Sequence, residues 1–136
     1  MRSDDIDALK KPNMNSILES VKTMLDIGVD DTAFDVDVIF GINTCFAILQ
    51  QIGLGPKEGF NVVDNTQEWS DYIEGPMMSM VQQYVYLKTK VIFDPPNNSF
   101  LLTTYNERIA ELEWRLKITT DGVFDDPIIE QVGNND

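Results

Sequence analysis

The chain of 136 residues contains no histidine and a single cysteine, Cys45. Without histidine there is no Ser/His or Cys/His nucleophile arrangement and no histidine metal site. One cysteine forms no intramolecular disulfide and no multi-cysteine zinc site. Set inside an apolar helical run, Cys45 reads as a small buried hydrophobe, a pattern that suits a reducing cytosol. Glycine-rich phosphate loops are also missing. The cluster Gly53-Leu54-Gly55-Pro56 ends a helix and is followed by proline, so it reads as a turn. The longest uncharged apolar run, Val38 to Ile52, is too short to span a bilayer and includes Asn43, Gln50 and Gln51, so no membrane helix is expected. Met1-Arg2-Ser3-Asp4-Asp5 has no apolar h-region, so no secretory leader is expected.

Positive charge is scarce. Ten basic residues face 23 acidic ones, for a net charge of −13. Residues 1–12 balance three of each, residues 13–118 carry seven bases against fifteen acids, and residues 119–136 carry five acids and no base. Such a surface repels phosphate backbones, which argues against attractive binding to DNA or RNA. It suits a basic partner, a wall past which DNA slides, or simple solubility. The acidic clusters do not match a calcium loop: counted from Asp26, Asp31 stands where glycine is needed and Asp37 where glutamate is needed. Asp35 and Asp37 fit better as compensation of a helix dipole. Nothing selects a carboxylate pair for acid–base work, and no cofactor or metal is expected.

The periodicities present are helical. Polar residues 1–12, closed by Pro12, read as a flexible arm. Ser16 with Glu19 reads as a capping box for a helix over about 16–26, with Ile17, Leu18, Val21, Met24 and Leu25 on its inner face and Gly28 beyond its end. Thr32 or Asp35 caps a second helix over about 33–52, apolar on nearly all sides and therefore expected to be central and most buried. Asn43 and Thr44 within it are expected to bond backbone carbonyls or a neighbouring helix. Residues 54–75 form a long loop, with a short strand and turn near Gly59–Asn65 and one helical turn over Gln67–Ile73 that plugs Trp69 into the core.

Gly75-Pro76 opens a third helix, with Met77, Met80, Val81, Tyr84, Leu87, Val91 and Ile92 on one face, stopped by Asp94-Pro95-Pro96. Asn97 or Asn98 caps a fourth over about 98–117, with Leu102, Tyr105, Ile109, Leu112 and Leu116 inward and Glu111–Arg115 and Glu113–Lys117 as i,i+4 pairs. The fold class that follows is all-α, a bundle of about four helices with a long loop between the second and third and an extended C-terminal tail. That acidic tail, residues 119–136, contains the apolar pairs Val123-Phe124 and Ile128-Ile129, which reads either as a segment that orders on a partner or as a solvated end.

An ordered series of segments carries a resemblance. It runs through Ser16-Ile17-Leu18-Glu19-Ser20-Val21-Lys22, Phe34-Asp35-Val36-Asp37-Val38-Ile39, Gln51-Ile52-Gly53-Leu54-Gly55-Pro56 with Gly59-Phe60, and Trp69. It continues through Tyr84-Val85-Tyr86-Leu87-Lys88, Phe93-Asp94-Pro95-Pro96 and Glu111-Leu112-Glu113-Trp114-Arg115-Leu116. Over residues 14–118 the chain resembles the head–tail connector (adaptor, or head-completion) proteins of tailed bacteriophages. The resemblance implies a structural subunit, not an enzyme, in a ring of commonly twelve copies docked under the portal protein. That ring extends the DNA channel and offers a platform for the stopper or tail-completion protein. It also implies a place in the virion at the head–tail interface, assembly in the host cytoplasm, and a division into an arm (1–12), a connector domain (13–118) and a tail (119–136) that reaches the portal or a neighbour.

Apolar residues beyond the core of one bundle, Phe100, Trp114, Val123, Phe124, Ile128 and Ile129, are the candidate contacts with portal or neighbouring subunits; core packing is the alternative for Phe100 and Trp114. A different class of function is an acidic DNA mimic that inhibits a DNA-binding host enzyme. Arg108, Arg115 and Lys117 interrupt the negative field that such a mimic needs.

Overall fold

The computed structural model describes residues 11–122, which form five helices and no strand. They are α1 (Ile17–Met24), α2 (Asp35–Ile52), α3 (Trp69–Tyr72), α4 (Met78–Phe93) and α5 (Ser99–Thr120). The architecture is all-α and bundle-like. α4 lies between α2 and α5 and also touches α1, while α2 and α5 meet only sparingly. Its inward residues Val81, Tyr84, Val85 and Thr89 are buried on both sides as a result.

The local signals act largely as their chemistry dictates. Ser16 Oγ accepts a hydrogen bond from Glu19 N at 3.2 Å and caps α1. The reciprocal half of the capping box does not form: the Glu19 carboxylate instead accepts from Asn13 N at 2.9 Å and Asn65 Nδ2 at 2.7 Å. The cap of α2 is Phe34, which makes no side-chain bond; Thr32 does not cap, and Asp35 is already the first helical residue. Asn98 caps α5 by accepting from Leu101 N at 3.0 Å, and that helix runs on to Thr120.

The expectation that α2 is the most buried helix is corrected. α1 is enclosed instead, with Ile17 through Lys22 all buried beneath α2, α4 and the loop. Only one face of α2 (Val38, Gly41, Ile42, Cys45, Phe46, Leu49) is covered, and Val36 and Phe40 on the other are 80% and 69% exposed. The physical reason is that α1, α4 and the loop all pack on the same side of α2, and among the described residues nothing covers its outer side.

The long connection from α2 to α4 is packed. Its short strand does not form; the described residues hold one isolated antiparallel bridge, Ser16 to Glu68. Asn43 on α2 pins the loop by donating to Val62 O at 2.9 Å and accepting from Val62 N at 2.8 Å. α3 seats Trp69 in the core, where its Nε1 donates to Ser20 Oγ at 3.0 Å. Phe46 meets Phe60 and Tyr72 at ring-centroid distances of 5.1 and 4.5 Å, closing an aromatic cluster over the end of α2.

α2 and α4 approach closely where Gly41 lies under Thr89. A Cβ on Gly41 would sit 3.1 Å from Thr89 Cγ2. Cys45 Sγ lies 3.7 Å from Thr89 Oγ1 one turn further along. Gly41→Leu forces a branched side chain into this crossing and is expected to destabilise the fold by about 1–3 kcal/mol. The check is a lower urea midpoint at unchanged slope.

Candidate interaction surfaces

Buried polar groups are the first places to look for chemistry. The Lys22 ammonium, 1% exposed by residue, donates to Asp31 O at 2.8 Å and Val29 O at 3.3 Å and pairs with Asp35 Oδ1 at 2.8 Å. It staples the link between α1 and α2 onto α1. The adjoining cleft, about 460 Å³, is lined by Glu19, Lys22, Asp30, Asp35 and Asn65. With its lysine committed to those three oxygens, the cleft reads as the seam of the fold. Among the described residues no group of three or more Cys, Asp and Glu side chains converges on a metal position. Lys22→Met strands two carbonyls and Asp35, and is expected to cost about 2–3 kcal/mol. Chemical denaturation measures it.

Cys45 is fully buried, and burial pushes its thiol up from 9.0 to about 12. Burial likewise raises Tyr84, which donates to Glu113 Oε2 at 2.7 Å. The folded state therefore holds the Cys45 proton more tightly than the unfolded one. That contribution to stability is full below pH 9.0 and is lost as pH rises between 9.0 and about 12. A thiol reagent at pH 8 is expected to leave Cys45 unmodified in the native protein and to modify it fully in urea; rapid native labelling would contradict the burial.

What remains is surface. Phe100, 79% exposed, and Trp114, 57% exposed, both lie on the side of α5 away from its buried residues Ile109, Leu112 and Leu116. They stand about 21 Å apart along the helix at about 1.5 Å per residue, so they mark the two ends of one face and not a single pocket. The core-packing alternative for these two residues does not hold. Val123, Phe124, Ile128 and Ile129 lie outside the described residues.

The sequence reading missed a second apolar surface. Phe34 and Phe40 of α2 and Ile92 and Phe93 of α4 surround a shallow hollow, with Phe34 and Phe93 in edge contact at 5.7 Å. Val36 extends this patch along α2. The signal for it was present: an 18-residue helix apolar all round exceeds what one small bundle can cover.

The electrostatics of α5 also differ from expectation. Glu111 pairs with Arg115 at 3.3 Å, as its spacing predicts, and also with Arg108 at 2.8 Å. Hydrogen bonds from Arg108 and then Arg115 hold its carboxyl below the usual range. Glu113 and Lys117 do not pair. Glu113 turns inward to Tyr84 and lies 3.9 Å from Lys88, and Lys117 reaches Asp121 at 3.1 Å. The reason is that a partner on α4 offers Glu113 a partly buried bond that is stronger than an exposed intrahelical one. Among the described residues no helix is long and apolar enough to cross a membrane.

A protein-family model described as "phage connector protein" matches residues 17–123, spanning all five helices. No curated protein and no solved structure matches the chain.

Proposed function

We propose, from the premise that the chain belongs to the phage connector protein family, that it is the repeating subunit of a ring that joins the portal to the tail. Family membership carries a structural connector role, a place in the virion and association with other head or tail proteins. The finer reading is ours. Copies stand side by side under the portal, extend the DNA channel, and present a platform to the stopper or tail-completion protein. The ring holds about twelve copies, as the resemblance implies. Residues 1–12 serve as an arm, 13–118 as the connector domain, and 119–136 as a tail that reaches the portal or a neighbour, its first residues finishing α5. The role needs no catalysis and no cofactor. The acidic surface lets DNA pass with little adhesion.

The observation that supports this reading is that, among the described residues, the two helices that flank α4 each carry exposed large apolar side chains. One carries Phe34, Val36 and Phe40 on α2, and the other Phe100 and Trp114 on α5. Two different patches on one subunit are what a heterologous contact requires, and such contacts make rings where the rotation between copies closes. A self-complementary dimer would need only one. The α2 face of each copy therefore meets the α5 face of the next.

Electron microscopy and mass measurement of the chain mixed with the portal of the same virus test the reading. A closed ring stacked coaxially on the portal is the expected result, and a monomer that ignores an intact portal ring would overturn it. Phe40→Glu is expected to keep full helicity and to weaken ring assembly by roughly 30-fold, the loss of one central contact of about 2 kcal/mol.

A further inference from the structure

The groove between the first turns of α4 and the second half of α5 stands apart from both apolar faces. Its floor is Met80 and Leu112, and Gln83, Arg108 and Arg115 stand along its rim around a volume of about 430 Å³. Arg108 donates through both terminal nitrogens, to Glu111 and to Gln83, whereas Arg115 engages Glu111 through Nε alone. Two guanidinium groups thus share one carboxylate, and the rim keeps a net positive charge on a protein of net charge −13. The adjoining N-terminus of α4 adds to this. It has no acidic residue in its first turn and no side-chain cap, unlike α1 with Glu19 and α2 with Asp35 and Asp37.

We propose that in the unassembled subunit this groove is occupied by the C-terminal segment of the same chain, residues 123–136. The charge fits: the segment carries Asp125, Asp126, Glu130 and Asp136 and no basic residue, and its apolar Val123-Phe124 precedes the first acidic pair. Most of the remaining surface repels it. The path fits as well. The described residues end at Gly122, whose φ of +79° and N–H bond to Thr119 O at 3.0 Å turn the chain out of the helix direction. Arg115 and Arg108 lie back along α5 from Thr120 by about 7.5 and 18 Å, at about 1.5 Å per residue. An extended chain covers about 10–13 Å in the three to four residues from Gly122 to Asp125 and Asp126, which brings those carboxylates level with the span between the two arginines. The exposed charge pairs are individually weak, and a tether of a few residues helps them by giving an effective concentration on the order of millimolar. The docked segment is withheld from other partners until a stronger one displaces it.

The test uses the full chain, alone, so its outcome is independent of whether the ring reading holds. A nitroxide is placed on Pro127→Cys, with Cys45 protected by burial, and amide relaxation is measured by NMR. The expected result is enhanced relaxation confined to Ser79–Gln83 and Arg108–Arg115, unchanged on dilution with unlabelled protein. It should vanish at ~1 M salt, where the screening length is about 3 Å. It should also vanish in R108E/R115E, and in D125K/D126K, which leaves every described helix untouched. Combining the two charge reversals should restore it. Broadening that is absent from the groove, centred elsewhere, indifferent to D125K/D126K, or lost on dilution with unlabelled chain would each overturn the proposal.

Discussion

The close crossing of α2 and α4 is the constraint on which the rest of the structure depends. Gly41 lets the two backbones approach, Thr89 fills the gap that the missing side chain leaves, and Cys45 continues the contact with its thiol beside the Thr89 hydroxyl. Because α4 is drawn tightly onto α2, its opposite side is set at the right depth to receive α5. There Tyr84, with no exposed surface, passes its hydroxyl across to Glu113. A helix packed on two sides must be apolar on two sides, and α4 meets this with Val81 and Val85 alongside Tyr84. The cost is that α2 and α5 are left as flanks, each with one side that keeps large apolar residues exposed.

The connection between α2 and α4 is held as firmly as the helices it joins. Asn43 treats Val62 as a strand partner would, satisfying both its backbone donor and its acceptor. Ile17 N donates to Gln67 O and Trp69 N donates to Asn15 O, so the entry to α1 and the entry to α3 brace each other. Ser20 completes the arrangement: it accepts from the Trp69 indole and donates to Ile17 O at 3.0 Å. This explains how a helix of only eight residues, too short to be stable alone, is among the most enclosed parts of the molecule.

These packing facts give a division of labour suited to a subunit of a larger assembly. Most of the buried polar groups find partners within the chain; Tyr72 Oη and Thr120 Oγ1 are buried without a hydrogen bond among the described residues. The apolar groups in excess of one core, on α2 and α5, are presented outward on two flanks. The ion pairs of α5 are mostly exposed and individually weak.

Helix existence and type were legible in the sequence because periodicity, capping residues and proline stops are local properties. Ser16, Asn98 and the Asp94-Pro95-Pro96 stop act where they stand, and Trp69 in its single turn goes inward as its size demands. The ordered segments pointing to the connector family are a linear pattern too, and the family match over residues 17–123 spans nearly all of them. Tertiary structure alone decided the burials. An apolar residue on α2 is buried only if a neighbour covers that side, and the described helices cover one side, so Phe40 is exposed. Lys22 is buried because the following link supplies two carbonyls and Asp35 at its ammonium. Glu113 forsakes Lys117 because α4 brings it a tyrosine. Each depends on which groups the fold brings within about 3 Å of one another, a distance that spacing along a helix does not encode.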